Sequence, residues 1–164
     1  VDQETTVDEK WGEVENQFQR RYDLIDNLVE TVKAAGNLEK EILIGVTQAR
    51  AGALKATENA KGGRNMKGVQ ESQQKVTMAL GNLMGYVERY PELKTNQNFL
   101  MLQSQIEGTE NRIAVARKRY NTAVKNFNSN QKQFPNNKLW KGDFEPREFF
   151  KAETGAEKAP KVKF

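Results

Sequence analysis

Apolar residues recur along the first 35 residues at alternating spacings of three and four. The stripe comprises Val7, Trp11, Val14, Phe18, Tyr22, Ile25, Leu28 and Val32. This spacing places the apolar side chains on one face of a helix. Thr6 followed by Glu9 is a capping-box pattern, and Gly36 is a helix stop signal. The pattern therefore predicts a first helix from about residue 6 to residue 35.

Three further amphipathic stripes follow, separated by turn signals. The second covers residues 38–53 and ends before Gly62-Gly63, and the third covers residues 66–87, with Asn65 as a candidate cap. The residue before Pro91 is disfavoured in a helix, so the third stripe stops there. The last and longest stripe spans residues 99–134, opened by Thr95-Asn96 and closed by Pro135. The chain is thus predicted to form four helices with short connections.

Four such helices are expected to pack as an all-α, antiparallel up-down bundle, because no single stripe can be buried alone. At 1.5 Å per residue, the first and last helices reach roughly 45 and 55 Å, and the middle two about 35 Å. The long pair therefore extends beyond the short pair as a two-helix stalk. We predict a register that sets Trp11 against Phe127 and brings Asp23 near Arg112 and Arg117.

Residues 135–164 lack helical periodicity but are rich in aromatic side chains. We predict two regions: a bundle over residues 1–134, and a C-terminal arm over residues 135–164 that packs on the bundle and ends in a polar tail. The aromatic residues of the arm are Trp140, Phe144, Phe149 and Phe150. Large rings of this kind would cover the side of the stalk that the short helices leave open.

Composition excludes several classes of catalytic site. The chain has no Cys and no His, so structural zinc sites, thiol nucleophiles, Ser-His-Asp hydrolysis and carboxylate-histidine di-metal sites lack their residues. We predict no cofactor and no metal. Residues 1–35 carry 9 acids against 4 bases, whereas residues 36–134 carry 15 bases against 8 acids. The first helix and the last are therefore expected to attract each other.

Several segments, in order, resemble the LemA family of bacterial envelope proteins. They are residues 11–32 (WGEVENQFQRRYDLIDNLVETV), 47–51 (TQARA), 88–94 (ERYPELK), 98–100 (NFL), 107–113 (EGTENRI), 119–121 (RYN) and 134–136 (FPN). The resemblance covers nearly the whole chain. It implies a helical bundle preceded by an N-terminal membrane anchor that lies before Val1. The ending EKAPKV looks like the Bacteroidetes-type version, which implies a periplasmic bundle.

The resemblance implies a non-catalytic role, and we expect a protein-interaction or scaffolding module of the cell envelope. Two alternatives remain open: a lipid-binding or membrane-remodelling protein, and an enzyme with a pocket of convergent Arg, Glu and Tyr residues. The expected partner is an envelope protein. Nucleic acid is not expected as a partner, because the aromatic residues of the basic last helix lie on its core stripe.

Two groups of candidate residues follow from the quoted motifs. The candidate interaction residues, expected to be exposed, are Arg20, Arg21, Tyr90, Glu92 and Lys94. The candidate structural polar network consists of Asp23, Glu107, Glu110, Asn111, Arg112 and Arg117. Two functional interpretations are an anion-binding site at Arg20 and Arg21, and acid-base chemistry at Glu107 and Glu110. The structural alternatives are, respectively, salt bridges on the helix surface and hydrogen bonds between helices.

Overall fold

The computed structural model describes residues 3–36, 39–60, 65–133 and 147–150, with side chains up to residue 130 in the third range. Within these ranges it contains five helices and no strand: α1 (Gln3–Ala34), α2 (Lys40–Glu58), α3 (Met66–Glu88), α4 (Pro91–Lys94) and α5 (Gln97–Gln133). The predicted all-α class, with a long first and a long last helix, is confirmed. The four predicted stripes correspond to α1, α2, α3 and α5, and the short α4 was predicted only as a turn.

The capping signals in the sequence agree with the structure at some helix starts and disagree at others. Asn96 accepts a hydrogen bond from the backbone N–H of Phe99 at 3.2 Å, as the cap of α5 should. Helix α1 begins at Gln3, so Thr6 lies inside the helix and the predicted capping box is wrong. Asn65 stands at the start of α3 with φ 55°, but its side chain makes no capping hydrogen bond.

The core follows the predicted stripes. Helix α1 packs along α5, and α2 packs along α3, with fewer contacts joining α1 to α2. All eight apolar residues of the first stripe are buried, and Phe99, Ile106, Ile113 and Tyr120 continue the core on α5. Burial of these apolar faces is the main stabilising contribution to the fold. None of the described helices combines the length and the apolar character that a membrane crossing requires.

Helices α1 and α5 run in opposite directions with a register that differs from the prediction. Arg21 contacts Glu110, and ten residues earlier on α1 the Trp11 ring lies 5.5 Å from the ring of Tyr120. The predicted pairing of Trp11 with Phe127 is therefore wrong by seven residues, which is one heptad. A slip of one heptad keeps the same faces together, so apolar periodicity alone does not distinguish the two registers.

In the observed register, the antiparallel pair of α1 and α5 extends past the end of α2. Tyr22 already meets Thr57, one residue before α2 ends at Glu58. Residues of α1 before this point therefore lie past the end of α2. A described part of the predicted arm, residues 147–150, lies against this pair, and Trp140 and Phe144 fall outside the described residues. The division into residues 1–134 and 135–164 stays a prediction.

Candidate functional site

A buried ion pair joins α1 to α5. The guanidinium Nε of Arg21 lies 2.7 Å from a carboxylate oxygen of Glu110, and both side chains are 3% exposed. The remaining guanidinium nitrogens donate to Gln73 and Thr77 of α3, each at 2.8 Å. Removing two charges from water is costly, and only a geometry with these extra hydrogen bonds offsets that cost. One arginine therefore links three helices at a defined register.

A chain of hydrogen bonds continues from this arginine across the interior. Gln73 donates from its amide nitrogen to the hydroxyl of Tyr22 at 2.6 Å. The Tyr22 hydroxyl and the Thr57 hydroxyl lie 3.0 Å apart, and Thr57 donates to the carbonyl of Ala53 at 2.8 Å. The directions agree: Gln73 donates to Tyr22, Tyr22 to Thr57, and Thr57 to the α2 backbone. We call Arg21, Tyr22, Thr57, Gln73, Thr77 and Glu110 the buried polar network.

The Tyr22 phenol of the buried polar network is held in its neutral form. Burial raises the pKa of the Tyr22 phenol above its ordinary value of 10.0, against the opposing effect of its hydrogen bonds to Thr57 and Gln73. A phenol held neutral in this way serves as a hydrogen-bond donor and acceptor. Among the described residues, no group of three or more His, Cys, Asp or Glu side chains could hold a metal ion.

The candidate structural network predicted from sequence is only partly assembled in the structure. Glu110 is buried in the ion pair with Arg21, which agrees with its interpretation as a contact between helices. Asp23, Glu107, Asn111 and Arg112 are exposed instead. Asp23 accepts a hydrogen bond from Gln19 of its own helix at 3.1 Å. The predicted approach of Asp23 to Arg117 is wrong, because Arg117 lies over the Phe150 ring beside Trp11, twelve residues earlier on α1. The error follows from the register, whereas the approach to Arg112 stays a prediction.

Arg117 belongs to a different cluster, formed where residues 147–150 meet the two long helices. Its guanidinium carbon lies 4.7 Å above the ring of Phe150. That ring is buried and lies 6.2 Å from Trp11 and 5.6 Å from Tyr120. Burial strongly raises the pKa of the Tyr120 phenol. We call Trp11, Arg117, Tyr120 and Phe150 the aromatic cluster.

The side chains of two asparagines on α5 form hydrogen bonds with the backbone of residues 147–150. Asn121 exchanges two hydrogen bonds with the backbone of Phe150, at 2.9 and 3.1 Å. Asn128 exchanges two with the backbone of Arg147, both at 3.2 Å. A carboxylate oxygen of Glu148 accepts the N–H of Met66 at 2.8 Å, and so supplies the cap that Asn65 does not give to α3. These contacts could not be predicted from the sequence, because local patterns carry no information about contacts between residues so far apart in the chain.

The predicted interaction residues lie in two different settings. Arg21 is 2% exposed, so its place among the exposed candidates is wrong. Arg20 is exposed on the outer face of α1. Tyr90, Glu92 and Lys94 are exposed at the turn between α3 and α5, where the Tyr90 ring lies 4.7 Å from that of Tyr86 and Lys94 pairs with Glu88 at 2.7 Å.

Comparison with known proteins identifies a family. Comparison with curated proteins finds no match. The family model for the LemA family matches residues 10–164, which is nearly the whole chain and includes α1 from Lys10 onward, α2 to α5 and residues 147–150. The matched residues include both members of the buried ion pair, Arg21 and Glu110, and all four residues of the aromatic cluster. On this coverage, the chain belongs to the LemA family.

Proposed function

We propose that this chain is a non-catalytic, membrane-anchored protein of the bacterial cell envelope, whose helical domain serves as a scaffold for an envelope partner. The anchor and the periplasmic side come from the resemblance described under Sequence analysis. The observation that carries the scaffold role is a set of exposed apolar side chains at one end of the domain. Tyr90, Leu100 and Met101 are 42%, 46% and 55% exposed there.

The arrangement of the helices supports display of this end. We infer an up-down-up-down order for the four longer helices, which places the α3–α5 turn opposite the start of α1. The contact of Arg21 with Glu110 aligns the end of α1 with the start of α5. At 1.5 Å per residue, the 32 residues of α1 separate its two ends by about 48 Å. An anchor before α1 would therefore hold the α3–α5 turn far from the membrane.

The buried polar network supports a structural rather than a catalytic role. Its side chains Arg21, Glu110 and Tyr22 contact one another or neighbouring helices. A general acid or base must lie within hydrogen-bond reach of a substrate. The buried polar network fixes how α1, α2, α3 and α5 pack, which is the rigidity that a scaffold needs.

The test is crosslinking in native envelope membranes with the full-length protein, followed by purification and identification of the captured protein. Tyr90→Ala combined with Lys94→Ala should abolish capture. It should lower the melting temperature only slightly, because both residues are exposed and lose one ring contact with Tyr86 and one surface ion pair with Glu88. Lys75→Ala combined with Met78→Ala is the matched control, since Met78 is 70% exposed on α3 away from this turn. Arg21 is left intact because it belongs to the buried ion pair, and altering it would lower the stability of the protein.

Three outcomes are informative. Loss of one defined partner in the first variant, with the control unaffected, supports the scaffold. Equal capture by both variants removes the α3–α5 turn as the interaction site. Recovery of lipid without protein favours the alternative, a lipid-binding or membrane-remodelling role.

A further inference from the structure

A groove of about 470 Å³ lies between α1 and α5 at mid-length of both helices. Asn16 and Gln17 form its α1 wall, and Arg112, Val115 and Arg119 lie on its α5 wall. It is separate from the buried polar network and from the exposed α3–α5 turn. Val115, 50% exposed, gives the groove an apolar patch between the two arginines.

The groove carries positive charge that the described part of the chain does not neutralise. Arg112 and Arg119 are exposed, and no described acid forms an ion pair with either. Seven residues of helix separate them, which is about 10.5 Å along α5. The acid on the α1 wall, Glu13, is already paired with Lys10 at 3.1 Å. An occupant with two anionic groups about 10 Å apart matches this spacing.

An unused acceptor marks the same groove. The side-chain oxygen of Gln17 is buried and has no hydrogen-bond partner among the described residues. A buried acceptor without a donor is costly, so rotation of the half-buried Gln17 side chain toward the groove, where its oxygen can accept an N–H from an occupant, is favourable. Two anionic groups together with an N–H donor are the features of an acidic peptide. A phosphate group alone supplies no N–H for this oxygen.

We propose that this groove binds an acidic peptide segment of a partner protein, with carboxylates paired to Arg112 and Arg119 and a backbone N–H donated to Gln17. In a peptide with polyproline II geometry, which has three residues per turn and a rise of about 3.1 Å, residues three apart lie on the same side and are separated by about 9 Å. The proposal rests on the scaffold function and names the chemistry of one partner surface. It adds Arg112, which sequence reasoning assigned to a structural network, to the binding residues.

The direct test is fluorescence anisotropy of the purified chain with a fluorescein-labelled hexapeptide, Ala-Glu-Ala-Ala-Glu-Ala, at low ionic strength. We expect saturable binding that weakens with added salt. Arg112→Glu and Arg119→Glu should each weaken binding at least fivefold. Lys125→Glu, an exposed site on α5 outside the groove with the same change of charge, should leave it unaltered. A peptide with Lys in place of Glu should bind only the double charge-reversal variant.

Two results would overturn the proposal. One is equal binding by the parent chain and Arg112→Glu, and the other is binding to phosphatidylglycerol vesicles with none to the peptide. Gln17→Met supplies an independent test, because it should weaken peptide binding without unfolding the chain. In envelope crosslinking, partner capture that survives Arg112→Glu with Arg119→Glu but is lost with Tyr90→Ala and Lys94→Ala would refute the groove and leave the scaffold standing.

Discussion

The strongest quantitative prediction concerns the ion pair between Arg21 and Glu110. Glu110→Gln keeps the shape of the side chain and its ability to accept a hydrogen bond, but it removes the negative charge. The Arg21 charge would then be buried without a counter-ion, in a site where both side chains are 3% exposed. Breaking a buried pair in this way costs about 3–5 kcal/mol of unfolding free energy.

This loss is large compared with the total stability of a domain. Natural domains unfold with about 5–15 kcal/mol, so Glu110→Gln should remove a third or more of the stability in most of that range. For a chain of this size, 1 kcal/mol corresponds to roughly 2–4 °C of melting temperature. The expected fall is therefore about 6–20 °C. Urea unfolding followed by helical circular dichroism measures the free energy directly.

A matched control lies three residues earlier on the same helix. Glu107 is exposed, so Glu107→Gln makes the same chemical change in water and should alter stability by less than about 0.5 kcal/mol. Arg21→Met combined with Glu110→Leu removes both charges and should cost less than Glu110→Gln alone, although it leaves the Gln73 oxygen without its donor. A cost below about 1 kcal/mol for Glu110→Gln would refute the reasoning, because it would mean that water reaches the pair.

Three further predictions test other parts of the molecule. Burial raises the pKa of Tyr120 above 10.0, so its contribution to stability should be constant below pH 9 and fall above pH 10, where the unfolded phenol ionises. Tyr120→Phe should flatten the alkaline fall by about 1.4 kcal/mol per pH unit in urea titrations. Phe150→Ala should uncover Trp11 and shift its fluorescence to the red, measured with Trp140→Phe so that one tryptophan remains; an unmoved spectrum would contradict the packing. Gln17→Met should raise the melting temperature, because it removes a buried acceptor without a donor.

The helices could be predicted from the sequence because their faces depend on local spacing. The stripe on α1 identified its buried apolar residues, and Asn96 identified the start of α5. The register could not be predicted, because a heptad pattern repeats every seven residues and tolerates a slip of that length. What selects the observed register is polar: only one alignment brings Arg21 to Glu110.

The sequence nevertheless contains a signal that Arg21 is buried. Strict alternation of four and three from Val7 through Phe18 falls next on position 21, and the following steps reach Ile25 and Leu28. The predicted stripe passes through the neighbouring Tyr22 instead and leaves Arg21 on the surface with Arg20. A charge at a core position of a heptad is a sign of a buried, paired group. Its partners on α3 and α5 could not be read from periodicity.

The contact between Glu148 and Met66 affects the order in which the chain can complete its fold. The carboxylate that caps the start of α3 lies 82 residues later in the chain, and Arg147 reaches back to Glu4 across 143 residues. At 5–20 residues per second, the ribosome needs roughly 4–16 s to make those 82 residues. During synthesis, α3 therefore exists for seconds before its cap has been made. The contacts of Arg147 with Glu4 and of Glu148 with Met66 can therefore form only after all five helices have been synthesised.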